Sequence, residues 1–204
     1  MVSFTIIWFL ALILAICLSA ILYMTFVVIP KIKQNSVFEN IFNRKSVRNY
    51  VKGKKVSDAQ IEKILQAAMA APSARNSQSW EFIVVKDRDV LDRLAERNPY
   101  GKMLFEASCA IVVAGNLQRV PTNEFWNQDA SAATENILLA VEALGLGAVW
   151  IGVYPKEDRM QIAKEELSLP ENVIPLNIIS IGYPTGKDVA KNKWNKDFVH
   201  YDRY

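Results

Sequence analysis

Between Val2 and Pro30 the chain runs for 29 residues without a charged side chain, and the first charge after them is Lys31. Crossing the hydrocarbon core of a bilayer takes about 20 predominantly apolar residues as a helix. At about 1.5 Å of rise per residue this run is roughly 40 Å long, enough to span with tilt. A cleaved secretory signal has a basic start and an apolar stretch of only about 7–15 residues. Here nothing basic precedes the run, and the small-x-small triplets at Ala15-Ile16-Cys17 and Cys17-Leu18-Ser19 fall in its middle. A buried core helix is rarely apolar all round for this length. The run therefore predicts one transmembrane helix over residues 1–30, entering the membrane through residues 2–30. A short linker over 31–42 and a single body over 43–204 follow.

The flanks set an orientation. Lys31, Lys33, Arg44, Lys45 and Arg48 follow the run, opposed only by Glu39. The positive-inside rule then puts the N-terminus outside and residues 31–204 in the cytoplasm. Cys17 lies within the apolar run and Cys109 in a strand-like stretch, so no disulfide framework points to an oxidising compartment.

The body is long enough to bury a real core. The formal net charge of +3 is mild and mixed along the chain, which predicts no nucleic-acid partner. Ser57-Asp58-Ala59-Gln60 has the form of a capping box and predicts a helix from Asp58 to Met69. Ala71 to Gln78 (APSARNSQ) is loop chemistry. Strands are predicted over Glu81–Lys86, Ala107–Ala114, Ala148–Val153 and Pro175–Gly182. Helices are predicted over Val90–Glu96, Glu124–Leu144 (stopped by Gly145) and Glu157–Glu166. The last twenty residues are polar and irregular.

Several chemistries are excluded by residue supply. One histidine, His200, and two separated cysteines do not make a common zinc site, so no metal is expected. There is no G-x-S-x-G elbow and no Walker loop. Gly145-Leu146-Gly147 has half a dinucleotide fingerprint, but the order here is helix then strand, and a Rossmann turn needs the reverse.

Four short stretches remain. Asn43-Arg44-Lys45-Ser46-Val47-Arg48-Asn49-Tyr50 resembles the R-R-S-V-R-x-[FY] opening of the FMN-dependent nitroreductase family. Pro72-Ser73-Ala74-Arg75-Asn76-Ser77-Gln78-Ser79-Trp80-Glu81-Phe82 looks like its P-S-x-x-N-x-Q-P-W-x-F stretch, with Ser79 in place of the proline. Gln128-Asp129-Ala130, and then Leu144 to Gly152 (LGLGAVWIG), are similar to its long helix and its G-L-G-x-x-W-x-G segment. Ile181-Gly182-Tyr183-Pro184 and a basic tail complete the order. The resemblance covers residues 43–204.

It implies an α+β sandwich with a mainly antiparallel central sheet flanked by helices, here preceded by the transmembrane helix. It also implies a homodimer with FMN in each interface cleft. The FMN phosphate calls for guanidinium and ammonium donors, and the matching positions are Arg44, Ser46, Lys191 and Lys193, with Lys45 as a helper. On residue chemistry alone, Arg44 to Arg48 also reads as a juxtamembrane basic patch on anionic lipid. The resemblance places Arg48 near N1 and O2 of the isoalloxazine, where a cation favours the reduced ring. Pro72, Ser73, Ala74 and Asn76 match a loop near the flavin, part of which crosses from the partner subunit. Ile151, Gly152 and Val153 match the strand end whose backbone N–H groups face flavin N5. The loop also reads as a plain polar turn, and Gly152 as a packing glycine in a buried strand.

The implied reaction is ping-pong. NADH or NADPH reduces the flavin and leaves, and a nitroaromatic, quinone or similar electron-poor small molecule then takes the electrons. No catalytic side chain is required of the protein. Two alternatives stand beside this. One is a flavin-free, non-catalytic binding module of the same fold. The other is a dehalogenase-type sibling, disfavoured because only Asp87 to Glu106 separates the two strands where such enzymes insert a lid.

Overall fold

The structure, a computed structural model, describes residues 4–120 and 124–204. It divides into a first unit ending at Phe42 and a second from Asn43 to Tyr204. The first unit is helical: α1 (Phe4–Tyr23), a π-helical turn (Met24–Val28) and α2 (Ile29–Asn43). Ile6 to Val28 is long and apolar enough to cross a membrane. Met1, Val2 and Ser3, the start of the predicted span, lie outside the described residues. Residues 31–42, read as a linker from sequence, are helical.

In the second unit α3 (Asp58–Met69) begins at the predicted capping box. Ser57 Oγ accepts from Gln60 N, and the Gln60 side chain returns to the Ser57 N–H. Then come β1 (Trp80–Val85), α4 (Arg88–Arg97), β2 (Cys109–Asn116), α5 (Trp126–Ala143), β3 (Gly147–Gly152), α6 (Glu157–Leu167) and β4 (Val173–Gly182). Gly145 follows α5 at φ 67°, the left-handed stop expected of it. The α4 helix and a 3-10 turn (Lys102–Phe105) fill the interval between β1 and β2, with no inserted lid.

The sheet is four-stranded, ordered β1-β2-β4-β3, with every neighbour antiparallel. Strand β4 starts at Val173, two residues before the predicted Pro175. A proline gives no N–H to a ladder, and this one sits where the β2–β4 register slips, between Val113 and Ala114.

Alternation along the strands makes two apolar faces. Ile111, Val113, Ile179 and Ile181 pack against Ile61 and Ile64 of α3 and Ala130, Ala133 and Ile137 of α5. Ala110, Val112, Val149, Ile151 and Ile178 pack against Leu91 and Leu94 of α4 and Ala163 of α6. The result is helix, sheet, helix, the sandwich expected from the sequence. Cys109 is buried at the start of β2, and burial raises its thiol pKa to about 11.

Charge ties α4 to α6. Glu166 accepts from Arg93 Nε at 2.7 Å and from Arg97 Nη1 at 2.6 Å, and Arg97 also bonds Glu165. Hydrogen bonds from Arg97, then Arg93, hold the Glu166 carboxyl below its ordinary value of 4.5. A group depressed in the folded state contributes stability above its unfolded pKa and loses it as pH falls through the folded value. Stability should therefore fall on acidification below about pH 4.5. Glu166→Gln is expected to flatten that acid limb, and salt to weaken it, as read from urea midpoints against pH.

Candidate functional site

Residues 46 and 47 meet the outer edge of β3, and residues 49–51 pair with 183–185 just beyond the end of β4. Ser46 pairs in parallel with Ala148, the Val47 N–H donates to the Ala148 carbonyl at 2.8 Å, and Tyr50 bridges to Pro184. Val47 and Tyr50 are buried, while Ser46 and Arg48 face out. Two glycines make room for this. A Cβ on Gly147 would stand 2.6 Å from Val47 Cγ1, and one on Gly182 would stand 2.8 Å from Tyr50 Cδ1. The Tyr50 hydroxyl lies 2.7 Å from Ser180 Oγ and 2.8 Å from the Val47 carbonyl. Burial drives its pKa well above the usual phenolic range, so it stays a neutral pin.

This edge opens onto a cavity of about 600 Å³ lined by Arg48, Tyr100, Lys102, Met103, Arg159 and residues 149–152 of β3. In an antiparallel ladder, opposed residues alternate between hydrogen-bonded and open pairs. The Val153 N–H donates to the Leu176 carbonyl, while the Ala148 carbonyl is taken from outside the sheet by Val47. Hence the backbone groups of 149, 151 and 153 face β4, and those of 148, 150 and 152 face outward. Of the three residues expected to turn N–H groups outward, only Gly152 does so. Ile151 lines the cavity, but its amide belongs to the sheet. Val153 is fully buried, with its N–H already engaged, and is corrected out of the donor set. A side chain at Gly152 would meet nothing within 4 Å, so the backbone there is open to close approach.

The other sequence candidates lie off this cavity. Arg44 pairs with Glu135 at 3.5 Å and Lys45 with Glu142 at 3.1 Å, both on α5. Lys191 and Lys193 lie in the exposed tail. Pro72, Ser73, Ala74 and Asn76 form a separate loop with unusual backbone. Arg75, Asn76 and Gln78 have φ of 54°, 54° and 46°, a left-handed region costly for residues other than glycine.

That loop is held by one carboxylate. Asp129, in the first turn of α5 and only 5 % exposed, accepts from the Ala74 N–H at 2.9 Å and from Ser77 Oγ at 3.1 Å. Ser79 Oγ lies 3.5 Å from the same carboxylate. The serine that replaces the motif proline thus sits beside the loop's anchor. Sequence inspection placed Asp129 in a motif without giving it a role. It also missed Tyr100, Lys102, Met103 and Arg159, which reach the cavity from the α4–β2 connection and from α6. A cation in the first turn of a helix that directly follows a site strand was the one available signal for Arg159. Among the described residues, no group of three or more His, Cys, Asp or Glu could hold a metal ion.

The charge of the residues present suits an anionic ligand. The volume falls within the range of about 300–1,000 Å³ usual for small-molecule sites. Three cations (Arg48, Lys102 and Arg159) line the cavity with no carboxylate among the lining residues. Arg159 Nε is buried without a hydrogen-bond partner.

Comparison with known proteins follows this geometry. A family model described as the Nitroreductase family matches residues 41–99 and 96–183. A relative from Archaeoglobus fulgidus, provisionally named an NADH dehydrogenase/NAD(P)H nitroreductase, is 48% identical over 169 residues, covering 80% of this chain and 96% of its own. The crystal structure of a protein with the same provisional name from Parabacteroides distasonis aligns with a TM-score of 0.80 at 47% identity, covering 83% of this chain and 99% of that one. An FMN-dependent nitroreductase from Clostridium difficile aligns with a TM-score of 0.76 at 33% identity, covering 82% and 99%.

Asp129→Ala is expected to cost about 1–3 kcal/mol, the usual penalty for stranding donors in a folded site. The loss should appear in urea unfolding, together with faster proteolysis within residues 72–78.

Proposed function

The chain belongs to the nitroreductase family, and from that premise we propose that it is an FMN-dependent NAD(P)H oxidoreductase that passes electrons to a small electron-poor acceptor, a nitroaromatic or a quinone. The observation that carries this is the convergence of Arg48 and the outward Gly152 amide on one cation-lined cavity at the edge of β3. FMN, when bound, supplies a ring that takes two electrons from NAD(P)H and yields them to the acceptor.

The protein's part is to bind and bias. Arg48 supplies fixed positive charge where the reduced ring is richest in electrons. Gly152 supplies an N–H and, lacking a side chain, lets a ring approach the strand. Arg44, Ser46, Lys191 and Lys193 are proposed to meet the phosphate, with Lys45 beside them. For Arg44 and Lys45 this means sharing or releasing Glu135 and Glu142. Pro72, Ser73, Ala74 and Asn76 lie off the cavity of their own chain, which supports their serving a second copy. The exposed Trp194, Phe198 and Tyr201 of the tail give that copy apolar surface to cover. Homodimerisation is therefore part of the proposal.

So is attachment to a membrane. Ile6 to Val28 supports a single-pass anchor, with the flanking basic residues favouring a cytoplasmic catalytic body. A tether raises the local concentration of an acceptor dissolved in the bilayer. If protein truncated before Asn43 reduced a lipid-soluble quinone in liposomes as fast as the full chain, that advantage would be refuted.

The defining experiment is the visible spectrum of detergent-purified protein under anaerobic NADH or NADPH. Flavin bands that bleach support the proposal. A colourless protein that takes up no added FMN would overturn it in favour of a binding module. Arg48→Gln should leave FMN bound while slowing bleaching by roughly 100-fold, the scale of removing one preorganised donor.

A further inference from the structure

Arg159, in the first turn of α6, joins two walls of the cavity. Its Nη1 donates to the Gly152 carbonyl at 3.1 Å, and its guanidinium carbon lies 4.6 Å from the centre of the Tyr100 ring. Tyr100 has an exposed ring on a held backbone. Its N–H donates to Oδ1 of Asn98, which is 1 % exposed and closes α4. The neighbouring Gly101 is packed so closely that an added Cβ would lie 3.0 Å from the Leu94 carbonyl. Arg159 therefore spans from a strand end to a firmly seated segment.

The contact at Gly152 matters because of what stands beside it. In an extended strand the N–H and C=O of one residue point to the same side. The outward Gly152 N–H, a donor suited to an electron-rich ligand, thus has the Gly152 carbonyl as its neighbour on the open edge. An uncovered carbonyl there would oppose negative charge. It belongs to the Gly152–Val153 peptide, which follows a residue without a side chain. Arg159 occupies that carbonyl and adds a positive charge, although its own Nε is left buried without a partner. Burying an unpartnered donor is unfavourable, so the placement is dictated by what the rest of the guanidinium holds.

We propose that Arg159 is a positioning residue that leaves the Gly152 end of β3 presenting only its donor, so that the site favours the reduced, more negative form of its flavin. The proposal rests on the flavoprotein reading above, and the test separates the two. The midpoint potential of bound FMN is measured in the full chain for wild type, Arg159→Ala and Arg159→Lys. The expected result for Arg159→Ala is a shift to more negative potential by about 30 mV or more, a tenfold change for a two-electron couple. Arg159→Lys, which keeps a donor and a charge, should recover most of it.

Hydrogen exchange supplies a flavin-independent arm, because the Gly152 carbonyl shares its peptide with the Val153 N–H. Arg159→Ala should accelerate exchange at Val153 at least tenfold even in stripped protein. Arg93→Ala, which loses an α4–α6 ion pair outside the cavity, should change melting temperature without changing either readout. An unchanged potential in Arg159→Ala overturns the proposal, and so does a loss that Arg159→Lys fails to restore. Wild-type protein that binds no FMN would overturn the flavoprotein reading itself, whatever the exchange data show.

Discussion

Everything at the candidate site depends on how closely Val47 seats against Gly147. The absent side chain at Gly147 lets an extended segment lie on the outer edge of β3, where one hydrogen bond, from Val47 to the Ala148 carbonyl, sets its register. With Val47 turned inward, strand alternation turns Ser46 and Arg48 outward. Three residues on, Tyr50 locks the segment by filling the space over Gly182 and reaching Ser180. A short stretch with little secondary structure of its own is thereby as firmly placed as the strand it follows. The backbone that carries its cation is therefore fixed rather than part of a loose loop.

The site is also supported from the far side of the sheet. α5 packs on the face opposite α4 and α6, and its first turn carries Asp129, which holds the loop before β1. Further along, Glu135 and Glu142 of the same helix take Arg44 and Lys45. One helix thus fixes both the loop 72–78 and the start of the basic segment. Its buried face between them also carries Thr134, bonded to Asn177 of β4 at 3.0 Å. The Thr134 hydroxyl is satisfied at this depth, donating in turn to the Ala130 carbonyl at 2.8 Å, while Asn177 Oδ1 is buried without a hydrogen-bond partner.

Much of this was legible in the sequence because local rules and tertiary demands agree. The capping box at Ser57, the stop at Gly145 and the period-two apolar strands each predict an element that forms. Boundaries moved where a neighbour decided them. Strand β2 begins at Cys109 rather than Ala107 because the Ala107 N–H returns to the Met103 carbonyl. The opening motif led directly to Arg48, and the glycine of the W-x-G segment to Gly152. What could not be read was anything set by the parity of hydrogen bonding. Ile151, Gly152 and Val153 are alike as a sequence run, and only the ladder to β4 shows that one of the three turns its backbone outward. Tyr100, Lys102 and Arg159 were hidden for a different reason, since they meet only across the fold.

The burial of Cys109 has a bearing on durability. With a pKa of about 11, its thiol is ionised to only about one part in ten thousand at neutral pH, and thiolate is the form that oxidants attack. Peroxide that reaches the protein therefore meets almost no thiolate at Cys109. The sulfur placed where such damage would register is the thioether of Met103, on the cavity wall. Conversion to the sulfoxide would put a polar oxygen among the apolar contacts there. Oxidation of Met103 would thus register at the mouth of the site while Cys109 in the core stays untouched.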